Sequence, residues 1–285
     1  MPLIAIPNIS TAAGEELDRA VQAVTGTGTR LIDVHSDRVH NRTVLTCAAP
    51  SPAVLQQAMV HLARACRVID LTRHRGVHPR LGALDVCPFV PHDSAMEEAV
   101  TAARATAARI GSEAGLPVYL YGAAALRQQT RDLPDLRRGG LERLAVRAAR
   151  DLPPDAGPVT IDRRIGVACV GARQPLVAFN VWIAASAIEA QTIASEVREP
   201  GAVRALGLQI DEGRAQVSMN LVDPARRGID DVFQKIESRA TRLGVELIGT
   251  EIVGVPPARF MPRADAAAAR LLIEPGRSLE TALAG

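Results

Sequence analysis

The densest chemistry in the chain lies in one stretch, Thr72-Arg-His-Arg-Gly-Val-His-Pro-Arg-Leu-Gly-Ala-Leu-Asp-Val-Cys-Pro-Phe89. His74 and His78 offer imidazoles that exchange protons near neutral pH. Arg73, Arg75, Arg80 and Asp85 supply charges that would tune those rings or hold a carboxylate. Gly76 and Pro79 interrupt helix, so His74 and His78 do not read as an i, i+4 zinc pair, and no metal is expected. A second cluster, His35-Ser-Asp-Arg-Val-His-Asn-Arg42, reads by itself as a polar hairpin turn. A third runs Gly157, Pro158, Val159, Thr160, Ile161, Asp162, Arg163, Arg164, Ile165, Gly166. Its glycine spacing is wrong for a Walker or dinucleotide loop, and no Lys-Ser/Thr follows. It reads either as a linker between two halves or as the lining of a groove.

Those clusters need elements to hold them. In the first half, residues 2–6 read as a strand, followed by a helix from about Ala12 with Leu17, Val21 and Val24 on one face. Strands at 30–35 and 42–48 flank a polar turn. Ser51-Pro52 then supplies an N-cap and an N1 proline for a helix carrying Leu55, Ala58, Leu62 and Cys66 inward. A strand over 83–90 ends the pattern β-α-β-β-α-β. Beyond it the capping box Ser94-Ala-Met-Glu97 opens a helix closed near Gly115, and 118–121 is a short strand. The arginine-rich stretch 122–158 reads as helical pieces and loops, and as a connection between the halves.

The second half repeats the order. Residues 176–183 form a strand, and Ser186-Ala-Ile-Glu189 caps a helix. Strands 203–210 and 215–222 meet at Asp211-Glu-Gly-Arg214, a hairpin signature. A helix marked by Ile229, Val232, Phe233, Ile236, Ala240 and Leu243 stops at Gly244, before a last strand over 245–253. The expected fold is therefore α+β: two ferredoxin-like βαββαβ subdomains, residues 1–172 and 173–285, packed around a ligand groove.

Composition narrows the partners. The formal net charge is +2 and points to no polyanion, while arginine carries nearly all the cationic charge, with Lys235 the only lysine. Base-stacking RNA domains of the same topology need exposed sheet aromatics, and aromatics are 2% of this chain. Nucleic acid is not an expected partner. No apolar run approaches the roughly 18–20 residues of a membrane span. The N-terminus has no basic stretch and breaks at Pro7, so a cytoplasmic protein without a signal peptide is expected. Cys47, Cys66, Cys87 and Cys169 are scattered, which suggests neither a disulfide framework nor a zinc ribbon.

At the three clusters the chain resembles the glutamate formimidoyltransferase family, the transferase half of formimidoyltransferase–cyclodeaminase in some organisms. The resemblance runs in order through Ile6-Pro-Asn-Ile-Ser10, Asn41-Arg-Thr-Val44, Arg73-His-x-Gly-x-His-Pro-Arg80 and Gly82-Ala-Leu-Asp-Val-Cys-Pro-Phe89. It continues through Pro117-Val-Tyr-Leu-Tyr-Gly122, Gly171-Ala-Arg173, Ala178-Phe-Asn180, Ala215-Gln-Val-Ser-x-Asn-Leu221 and Gly249-x-x-x-Val-Gly254.

The resemblance implies transfer of a formimidoyl group from N-formimidoyl-glutamate to N5 of tetrahydrofolate, a co-substrate, in histidine breakdown. It implies His78 as the catalytic residue and Gly157–Gly166 as the folate-contacting segment. The attacking nitrogen must lose a proton and the departing glutamate nitrogen must gain one, and an imidazole with a pKa near neutrality can do both. Donor and folate tail both bear carboxylates, for which Arg42, Arg80 and Arg173 are the candidate partners. A homodimer is a further implication. The family usually carries glutamate immediately before the catalytic histidine, where this chain has Val77. That departure leaves open another one-carbon donor, such as a formyl compound, or folate binding without turnover.

Overall fold

A computed structural model describes residues 3–284. The chain forms two compact units, Met1–Gln174 and Pro175–Gly285.

In the first unit, β1 (Leu3–Ala5) and β2 (Asn8–Ile9) are one strand interrupted at Ile6-Pro7. The strand continues through the break because Ile6 N donates to Pro88 O and Pro7 O accepts from Leu45 N. Then come α1 (Gly14–Thr25), β3 (Arg30–Asp37), β4 (Arg42–Ala48), α2 (Pro52–Ala65) and β5 (Leu84–Pro91). The Ser51 side chain accepts from Val54 N, 3.4 Å, and Pro52 occupies the first helical turn, as the sequence predicts. The β1/β2 strand lies antiparallel between β4 and β5, and β3 borders β4.

The start of one helix and one strand differ from the sequence reading, while the arginine-rich stretch forms the helical pieces expected of it. Helix α3 (Met96–Arg109) has Ala95 at its N-cap, one residue past the expected Ser94. Its tail widens into a π-turn that closes at left-handed Gly115. The arginine-rich stretch, after β6 (Val118–Gly122), folds into short helices α4 (Gln128–Arg131) and α5 (Leu133–Arg137) and the longer α6 (Gly140–Arg150). Finally, β7 (Ala168–Ala172) is a strand the pattern did not reveal, and it enters between β5 and β6 with parallel pairing to both. Every residue of β7 is buried, so it lacks the alternation that marks a half-exposed strand.

This insertion gives the sheet two buried faces at its β5–β7–β6 end. On one face Val118, Leu120, Ala168 and Val170 join the core beneath α1, α2 and α3. On the other, Tyr119, Tyr121 and Cys169 pack with Leu136 and Leu144 from α5 and α6. A stretch expected to be a connection is therefore a second covering layer.

The second unit contains β8 (Val177–Ile183), α7 (Ala187–Val197), β9 (Val203–Asp211), β10 (Arg214–Leu221), α8 (Ile229–Leu243) and β11 (Leu247–Val253). The strands lie in the order β11-β8-β10-β9, all antiparallel, so each β-α-β pair is split by an intervening strand. The Ser186–Glu189 capping box forms in both directions. Gly213 turns the β9–β10 hairpin with φ +86°. Phe179, Val181, Val217, Val232, Phe233 and Ile236 fill the core between sheet and helices. Leu243 is a departure from the expected inward face: at the last helical turn before left-handed Gly244 it is exposed.

Candidate active site

The loop from Ile69 to Ala83 leaves α2 and returns to β5, and its conformation is set by what it leans on. Gly76 passes so close to the β3–β4 hairpin that a Cβ there would lie 2.3 Å from His40 O. Val77 N donates to Val39 O, 3.2 Å. The hairpin tip is itself held by Asp37, whose Oδ1 accepts from the backbone of Val39 and His40 at 2.7 and 2.8 Å. Asn41 adopts φ +45°, a conformation asparagine tolerates better than most residues. The His35–Arg42 cluster is thus the polar hairpin its residues suggest, and it is also the platform for the histidine loop.

His74 and Arg80 organise that loop. His74 Nε2 lies 2.9 Å from Asn41 O, and a carbonyl can only accept, so Nε2 carries the proton. Its Nδ1 is then the acceptor for Arg80 Nη1. Arg80 Nη2 donates to the carbonyls of His40, Gly76 and His78. The arginine expected at a substrate carboxylate therefore staples the loop, with both terminal nitrogens engaged.

His78 sits half-buried at the loop's far end. Its Nδ1 is 2.7 Å from Pro79 O, which makes Nδ1 the protonated nitrogen and leaves the Nε2 lone pair as the acceptor of the neutral ring. His40 lies alongside, with ring centroids 5.7 Å apart. Burial, then the positive charges of Arg42 and Arg137, push the His78 pKa well below its ordinary value, with Asp85 opposing.

Beneath the loop, Asp85 on β5 is fully buried. Its Oδ2 accepts from Arg42 Nη1 at 2.7 Å and from Arg137 Nη2 at 2.5 Å, and its Oδ1 accepts from Leu81 N at 2.7 Å. Burial raises the carboxyl pKa, but Arg137 and Arg42 outweigh it and hold the group well below the usual carboxylate range. Arg42 is also buried, with Nε and Nη2 on Asn8 Oδ1 at 3.2 and 2.9 Å. Arg173 lies apart from this knot: its backbone N donates to Phe89 O, its Nη1 to Gln174 O, and its side chain adjoins Tyr121.

The Gly157–Gly166 segment is docked on the same loop. Leu71 N donates to Arg164 O at 2.7 Å and Ala83 N to Ile165 O at 2.9 Å, so both ends of the histidine loop are tied to it. Asp162 turns the chain, accepting from Arg164 N through its side chain and from Ile165 and Gly166 through its carbonyl. Ile161 anchors the segment against the cluster of Leu136 and Leu144. Gly157, Pro158, Val159, Thr160, Asp162, Arg163 and Arg164 remain exposed, whereas Ile165 and Gly166 are buried. Gly166 has φ +67°, and a Cβ there would lie 2.0 Å from Leu81 O. Gly166→Ala is therefore expected to cost about 3 kcal/mol, combining left-handed strain with overpacking. Urea denaturation checks this; a loss under about 1 kcal/mol would show that the segment is not clamped.

The structure thus brings His78, Arg42 and Arg80 into one cluster with the 157–166 segment along its edge. Two members of this cluster are not among the candidate site residues of the sequence. Arg137 was one arginine among many in a stretch read as a connection. Asn8 carried only the signal of its place in Ile6-Pro-Asn-Ile-Ser10.

Comparison with known proteins bears on this arrangement. The family description "Formiminotransferase domain, N-terminal subdomain" matches residues 3–173, and "Formiminotransferase domain" matches residues 178–270. A glutamate formimidoyltransferase of Streptococcus pyogenes is 36% identical over 266 residues, covering 90% of this chain and 89% of that protein. One from Thermoplasma acidophilum is 34% identical, covering 88% and 87%. The formimidoyltransferase-cyclodeaminase of Sus scrofa is 37% identical over 90% of this chain, which spans 50% of that longer protein. The two matches account for both compact units, and the chain belongs to the formiminotransferase-domain family.

Proposed function

We propose that the protein transfers a formimidoyl group from N-formimidoyl-L-glutamate to N5 of tetrahydrofolate, with His78 as the general acid/base. The observation carrying this reading is the contact of the His78 ring: Nδ1 lies 2.7 Å from Pro79 O and donates to it, which leaves the Nε2 lone pair of the neutral ring to accept. Such a ring takes a proton from an attacking amine as the new bond forms. It then returns that proton to the departing glutamate nitrogen. Burial, then the positive charges of Arg42 and Arg137, lower the ring's pKa from the near-neutral value expected and keep the base form available at neutral pH.

The folate co-substrate is assigned to the exposed side of residues 157–164, whose ends are tied to the histidine loop. Free rather than bridged cysteines, all four of them buried, agree with a reducing compartment such as the cytoplasm. Among the described residues no helix is long and apolar enough to cross a membrane. Incubation of purified protein with both substrates, with glutamate release followed, tests the reading. Absence of release at substrate saturation would remove it.

Val77 supports a second reading, transfer from another donor. It is 40% exposed beside His78, where a carboxylate would raise the ring's pKa. Val77→Glu is expected to preserve or raise turnover with N-formimidoyl-glutamate and to move the acid limb of kcat/KM to higher pH. A clear loss of turnover would favour a formyl or other one-carbon donor.

A further inference from the structure

The arginines around the His78 loop differ in what their guanidinium groups already hold. Arg80 is spent on His74 and three loop carbonyls. Arg42 is closed by Asp85 on one nitrogen and Asn8 on the other two. Arg137 is the exception. Its Nη2 binds Asp85 Oδ2, but its Nε is buried without a hydrogen-bond partner among the described residues. The side chain keeps 22% of its surface open, against 8% for Arg42.

Charge points the same way. Asp85 is one carboxylate shared by two guanidinium groups, so Arg42, Asp85 and Arg137 together carry a formal +1. A desolvated cation without a counterion is costly, and a buried N–H without an acceptor adds to that cost. An anion arriving at the open part of the guanidinium supplies the missing counter-charge. Guanidinium also pairs with carboxylate in a planar two-bond geometry, which suits recognition of an amino-acid carboxylate. Asp85 fixes the position of the Arg137 fork, and helix α5 delivers it from the covering layer.

We propose that Arg137 is the carboxylate-binding residue of this site, receiving one carboxylate of a glutamate moiety on its unfilled guanidinium edge. The inference rests on the transferase reading only for the source of that glutamate, which is either the one-carbon donor or the tail of the folate.

Calorimetric titration of the full chain tests it without requiring turnover. The donor arm uses N-acetyl-L-glutamate beside N-acetyl-4-aminobutyrate and N-acetyl-2-aminobutyrate, each lacking one carboxylate. The folate arm uses tetrahydrofolate beside the primary amide of tetrahydropteroate, which lacks the glutamate tail and carries no carboxylate. Arg137→Gln is expected to weaken at least one full ligand tenfold or more. It should leave the matching ligand without that carboxylate within about twofold of the unsubstituted protein. The arm that responds identifies the source. Arg137→Lys keeps a cation for Asp85 but loses the fork, so it should melt near the unsubstituted protein and still bind the full ligand more weakly. Equal weakening of full and truncated ligands, no weakening of either, or no carboxylate-dependent binding to the unsubstituted protein would overturn the proposal. Carboxylate-dependent binding through Arg137 without formimidoyl transfer would sink the transferase reading and leave this inference standing.

Discussion

Replacing His78 with alanine is expected to lower turnover by at least about two orders of magnitude, the lower end of what a positioned general acid/base contributes. Affinity for tetrahydrofolate should stay within a few-fold. The ring makes its bond to the adjacent Pro79 carbonyl, whereas the 157–166 segment is held by backbone bonds to Leu71 and Ala83. Removing the imidazole therefore takes away proton transfer and leaves the scaffold. The pH profile supplies an independent reading. Because the His78 pKa lies well below its ordinary 6.5, the neutral form persists through pH 6.5, and kcat/KM should fall only on further acidification. Steady-state kinetics across pH, with binding measured separately, checks both statements. An unchanged kcat in the alanine variant would strip His78 of its assigned role.

Asp85→Asn is expected to destabilise the first unit by about 3 kcal/mol or more, the scale for removing one partner of a buried ion pair. The substitution keeps the shape and abolishes the charge, leaving Arg42 and Arg137 facing each other around a neutral amide. It also weakens the bond from Leu81 N that closes the histidine loop. The pH dependence carries a definite sign. The folded-state pKa of Asp85 is depressed, so its contribution is fully present above the unfolded value of about 3.9. It is lost as pH falls from there toward the lower folded-state value. Urea midpoints at neutral pH and near pH 3 should therefore differ more in the unsubstituted protein than in the variant. A loss under about 1 kcal/mol at pH 7 would mean that Asp85 is not the hub its contacts describe.

Legibility along the chain followed exposure. Helices α2, α7 and α8 each carry a cap or stop residue and an inward stripe, because one face meets water and the other the core. The β9–β10 hairpin declares itself by alternation and by Gly213. Strand β7 and the layer of α5 and α6 did not. Ala168-Cys-Val-Gly-Ala172 is buried on both faces and has no period, and 122–158 is too rich in arginine for its few core residues to stand out. At α3 the local pattern places the cap at Ser94, but the chain enters the helix one residue later, at Ala95.

The same division holds at the site. The amino-acid order alone determined the two βαββαβ patterns, the concentration of histidine and arginine between Thr72 and Phe89, and the family resemblance. These are properties of neighbours in the chain. Only the tertiary structure decided which arginine does what. Arg42, Arg80 and Arg137 are chemically identical, and a guanidinium becomes a staple, a buried counter-charge or a second partner on a shared carboxylate according to the partners folding brings to it. Asn8, Arg42, Asp85 and Arg137 lie up to 52 positions apart along consecutive contacts, and no local rule pairs them. The sheet brings Asn8, Arg42 and Asp85 together because β2 lies between β4 and β5, and α5 adds Arg137 because its apolar side must cover the second face of that sheet.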